Sequence, residues 1–89
     1  MIYPEQMRAA RALLGLNQTQ LAKLAGVGIA TVKRIEAELG EIRGAAQTNW
    51  KIQTALENAG VRFIDADENA GVGVRLKASR LRLDSTNSF

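Results

Sequence analysis

Residues 18–37 read QTQLAKLAGVGIATVKRIEA, and the rest of the chain is arranged around them. Leu21, Ala22, Leu24 and Ala25 are apolar at helical spacing. Beyond them Ile29, Val32 and Ile35 fall on one helical stripe, with Lys33 and Arg34 beside it. Gly26 stands between the two patterns, where a left-handed residue ends one helix and swings the chain into the next. Val27 follows and is placed to plug the angle between them. The pattern is two short helices joined by a tight turn, the second with one side buried and the other open.

The spacing makes this layout that of a helix-turn-helix. Ala22 falls where the helices cross, and a larger side chain there would push them apart. Val32 and Ile35 must pack onto the first helix, which leaves Ala30, Thr31, Lys33 and Arg34 on the open face. On these residues the chain resembles the Cro/CI-type (XRE-like) helix-turn-helix family of phage repressors and small bacterial regulators. The resemblance spans about residues 4–60. It implies that the second helix of the pair, residues 29–37, enters the major groove of double-stranded DNA.

The resemblance also implies site residues. The glutamine matching Gln18 commonly clamps the DNA backbone at a helix N-terminus, where free N–H groups and the positive dipole end favour phosphate. Thr19 is a second candidate there. Arg34 suits bidentate bonding to guanine, and Thr31 reads with its hydroxyl or methyl. Ile29 and Ala30 offer apolar contact, for instance with a thymine methyl. Lys33 is assigned to phosphate. Residues 39–47, LGEIRGAAQ, read as a loop that crosses the backbone, with Arg43 as its one basic residue. Thr48 or Asn49 caps a fourth helix that ends at Gly60, and that N-terminus is a second phosphate site. Two positions depart from the family: Gly28 stands where serine or threonine usually caps, and Ile29 where a polar or basic residue is common. Glu36 reads as structural, since a carboxylate would be repelled by the DNA backbone.

Composition bounds the answer. Eighty-nine residues make one small domain, and aromatics at 4% leave a core of Ala, Leu, Ile and Val. A net charge of +3 is compatible with nucleic acid. There is no cysteine and no histidine, which removes thiolate metal sites and the commonest catalytic base. The residues argue against an enzyme and call for no cofactor or metal. Absence of a long apolar run or a signal-peptide layout leads us to expect a cytoplasmic protein with no membrane partner.

Upstream, Pro4 suits a first helical turn and Gly15 a stop, with Met7, Ala10, Leu13 and Leu14 as the buried stripe. Arg11 lies off that stripe and reads as a solvated side chain or a phosphate contact. Asn17 caps the next helix, with Gln20 as the reciprocal partner of a capping box. The fourth helix has a stripe of Trp50 or Ile52, then Ala55, Leu56 and Ala59; Trp50 reads as a core or edge packing residue.

After Gly60 the period changes from helix to strand. Val61, Arg62, Phe63 and Ile64 form one strand; Val72, Val74 and Leu76 alternate with Gly73, Arg75 and Lys77 in another. The fold expected is mainly α: a four-helix repressor-like domain over residues 1–60, a hairpin over 61–77, and a flexible tail over 78–89. In the loop, Asp65, Asp67 and Asn69 alternate as in a calcium site, but Leu76 stands where the bidentate glutamate belongs, so a solvated turn is the better reading. A lone hairpin is marginal in water, so it must pack on the helices or on another chain. Val61, Phe63, Val72, Val74 and Leu76 are expected to form a homodimer interface, with the helices folding without them.

The functional expectation is a sequence-specific transcription regulator, a repressor acting as a dimer on a palindromic operator. The alternative is a protein-interaction module, such as an antitoxin that grips a toxin or a transcription adaptor, using the C-terminal segment.

Overall fold

The computed structural model describes residues 2–37 and 46–78. The elements run α1 (Pro4–Leu14), α2 (Gln18–Ala25), α3 (Ile29–Glu36), α4 (Ala46–Ala59), β1 (Val61–Ile64) and β2 (Gly73–Leu76). The chain is mainly helical, with a two-stranded antiparallel hairpin at its C-terminal side. No described helix is long and apolar enough to cross a membrane.

The breaks fall where backbone chemistry requires them. Gly15 ends α1 at φ 69° and Gly26 ends α2 at φ 70°, both left-handed. Asn17 caps α2: its Oδ1 accepts the Gln20 N–H at 2.7 Å, and Gln20 Oε1 accepts the Asn17 N–H at 2.8 Å. Two otherwise orphaned donors are thus satisfied reciprocally. The Val27 N–H bonds Ala22 O at 3.0 Å, which draws the turn tight against α2.

One core is shared by every element. Ile2, Met7, Ala10, Leu14, Leu21, Ala22, Val32, Ile35, Ile52, Leu56 and Val61 are buried together. The α4 stripe is settled in favour of Ile52, while Trp50 is 64% exposed and so does not pack as expected. Leu13 also turns outward from the stripe predicted for α1, because the core lies on the Met7–Ala10–Leu14 side. The fourth helix begins at Ala46, so Ala46 and Gln47 are helical rather than loop, and Asn49 is inside the helix rather than its cap. The third helix stops at Glu36, with Ala37 as its C-cap.

The hairpin packs on α1 and α4 of its own chain. Val61 pairs with Leu76 and Phe63 with Val74, so these four side chains share the inner face. Val61 is completely buried, and Phe63, Val74 and Leu76 are half-buried against the core. The inner face of the hairpin thus lies against the helices of its own chain, with Val61 fully covered and Phe63, Val74 and Leu76 half-covered. Val72 precedes β2 and is half-buried beside Glu5, Gln6 and Ala9 of α1.

A glutamine fastens this attachment. Gln6 is buried; its Oε1 accepts the Tyr3 N–H at 2.9 Å, and its Nε2 donates to Gly73 O at 2.9 Å and Ile64 O at 3.2 Å. One amide thereby caps the start of α1 and clasps the loop end of the hairpin. The loop itself is a turn built by Asp67, whose Oδ1 accepts the N–H groups of Asn69 and Ala70, each at 2.8 Å.

Candidate nucleic-acid interface

The third helix divides into two sides. Val32 and Ile35 are buried, with 0% and 1% exposure, and hold the helix to the core. Ile29, Ala30, Lys33 and Arg34 are exposed along one stripe, and Thr31 is half-buried at its border. The four base-reading candidates and Lys33 thus lie on or beside one open helical face. Gly28 caps the helix through its backbone alone, with Thr31 N–H and Val32 N–H bonding Gly28 O at 3.1 and 3.2 Å.

What aims this helix is a partly buried polar network, centred on Glu36, that links α1, α2 and the end of α3. The Glu36 carboxylate is buried and accepts Arg11 Nε at 2.7 Å and Arg11 Nη2 at 2.8 Å, a two-pronged ion pair. Gln18 Nε2 donates to Glu36 Oε1 at 3.0 Å. Arg11 Nη1 also donates to Leu16 O at 3.1 Å, and Arg8 Nη1 donates to the Glu36 carbonyl. Bonding to Glu36 raises the Arg11 guanidinium pKa above its ordinary value, against the opposing effect of partial burial. Arg11 is therefore neither a solvated side chain nor a phosphate contact: it is the partner of Glu36. Arg11 and Glu36 stand 25 residues apart in the chain, so no local pattern announces the pair. Gln6, Arg8 and Arg11 are positioning residues that the sequence leaves unmarked.

The expected phosphate contacts divide. Gln18 is half-buried at the α2 N-terminus and gives one amide hydrogen to Glu36, which leaves the second for another acceptor. Thr19 and Lys33 are exposed, and Thr48 is half-buried in the first turn of α4. Asn49 is turned inward: it is buried and its Nδ2 donates to Ile2 O at 3.4 Å, so it faces the core instead of a phosphate. Arg43 lies outside the described residues.

A capped helix, a left-handed glycine turn and a second helix with an open basic stripe define a helix-turn-helix module. Comparison with known families agrees: residues 7–45 match the family model described as helix-turn-helix. The match supports an XRE-like helix-turn-helix over these residues, a module of DNA-binding transcription regulators. No curated protein matches it.

Proposed function

We propose that this protein is a repressor that occupies an operator through α3. In this reading Arg34 and Thr31 read base edges, with Ile29 and Ala30 in apolar contact, while Gln18, Thr19, Lys33 and Thr48 position the module on phosphates. The observation that carries the proposal is the exposed Ile29–Ala30–Lys33–Arg34 stripe on a helix whose other side is buried and whose end is held by Arg11 and Glu36. One eight-residue helix makes few base contacts, so useful affinity calls for a homodimer on two half-sites about one DNA turn apart. Val61 is buried in its own chain, so the strand edges of the hairpin are the better candidates for such a dimer.

Arg34→Ala is the direct test. Selected operator DNA should be bound about 1–3 kcal/mol more weakly, with preference relaxed at one base pair, and random DNA should be affected less. Equal losses on both would reduce Arg34 to a phosphate contact. Sedimentation at micromolar concentration, with and without that DNA, tests the dimer; a monomer in both conditions removes it.

A further inference from the structure

The outer face of the hairpin carries charge that the α3 site does not use. Arg62 and Arg75 are directly opposite one another across the two strands. Alternation puts Lys77 on the same face, and all three are exposed. They line one cleft together with Leu76 and Ala78. Among the described residues, no ion pair or side-chain hydrogen bond engages any of the three. The acidic residues of the hairpin, Asp65, Asp67 and Glu68, are confined to the loop at the other end. Like charges placed directly across strands destabilise a sheet. A short hairpin that tolerates this arrangement has a face suited to an anion with repeated charges.

The location of this face separates it from α3. Gln6 holds the hairpin, whereas Arg8 and Arg11 hold the end of α3. At about 100° per residue, these positions lie on opposite flanks of α1. The inner side of the hairpin packs on α1 and α4, so its basic side faces away from the helices. The two surfaces are thus attached through opposite flanks of α1.

We propose that Arg62, Arg75 and Lys77 form a second surface for the phosphate backbone of duplex DNA, so that one protein holds two duplex segments. The bridging part rests on the reading of α3 as a DNA-binding helix; the hairpin surface does not. The two guanidinium groups are set across a strand pair whose Cα atoms are about 5.5 Å apart, since Lys77 N–H to Gly60 O places Arg62 and Arg75 at a hydrogen-bonded position two residues further on. They are thus close enough to contact neighbouring phosphates along one strand. Recognition is by charge and carries no sequence preference.

The test uses the full chain and arbitrary-sequence 30-base-pair duplexes. One duplex is fixed to beads, and retention of a second, fluorescent duplex is read. The variants are Arg62→Gln/Arg75→Gln/Lys77→Gln and Lys33→Gln/Arg34→Gln. Wild type should retain the second duplex, with retention falling about 40-fold between 50 and 200 mM salt for three phosphate contacts. The hairpin variant should lose most of that retention while still binding the fixed duplex about as tightly as wild type. Its thermal midpoint should be equal or higher, because repulsion is relieved, so misfolding is checked directly. A hairpin variant that bridges like wild type overturns the proposal, as does one that loses binding to the fixed duplex to the same degree. Binding of poly-glutamate that depends on the three residues, without any effect on duplex bridging, overturns it in favour of an acidic protein partner. Unchanged binding by the α3 variant, with bridging still lost in the hairpin variant, would defeat the α3 reading and leave the hairpin surface standing.

Discussion

The helix-turn-helix and the hairpin are built alike and held differently. Each buries an apolar side and turns cations outward: Val32 and Ile35 beneath Lys33 and Arg34, Val61 and Phe63 beneath Arg62 and Arg75. The third helix, however, is clamped at its end by a partly buried ion pair and two further donors, whereas the hairpin is clasped by one neutral amide. Such an ion pair fixes direction, since its two-pronged geometry tolerates little rotation. A helix proposed to present side chains to base edges needs that constraint, whereas a face proposed to meet a phosphate backbone through long, flexible cations does not.

Breaking the clamp should have the largest effect. Glu36→Ala leaves the Arg11 guanidinium without its partner in a partly buried site and should destabilise the domain by about 1.5–3 kcal/mol in denaturant unfolding. A cost under about 1 kcal/mol would mean that water replaces the carboxylate and that the pair does not set the α3 direction.

The clasp is expected to be weaker and more local. Gln6→Ala withdraws donors from Ile64 O and Gly73 O and should cost about 1–3 kcal/mol. The informative measurement is amide exchange: residues 61–76 should lose protection while α2 and α3 keep theirs. Uniform loss across the chain would show that hairpin and helices unfold as one unit.

Two glycines in the helix-turn-helix sharpen the comparison at smaller scale. Gly26→Ala meets no neighbouring atom but forces a left-handed φ of 70° on an alanine, so a loss of about 1–2 kcal/mol should appear in the thermal midpoint. Gly28→Ser should do the reverse. Its φ of −73° is ordinary, and a Cβ there would meet only Thr31 Oγ1 at 3.9 Å. The added hydroxyl should raise stability by a few tenths of a kcal/mol and tighten DNA binding at the α3 N-terminus, read as a shift in midpoint together with affinity. Weaker binding would mean that the backbone needs the bare glycine to approach the duplex.

By itself the sequence determined the local architecture. Periodicity of 3.6 through Leu21, Ala22, Val32 and Ile35, left-handed glycines at 15 and 26, and the Asn17–Gln20 box specify helices, stops and the open face of α3, because each is an interaction between residues at most a few positions apart. Alternation after Gly60 likewise specified two strands. What those strands pack against was decided only by the tertiary structure. An apolar face has no address: Val61 and Phe63 fit a second chain or their own core equally well on hydrophobicity, which is non-directional. The choice was made by the space left beside α1 and α4 and by the reach of Gln6. The same holds for Arg11 and Glu36. Their charges are visible at once, but whether a charge faces solvent, DNA or an opposite charge depends on how α1 crosses the end of α3, and that crossing is a property of the packed whole.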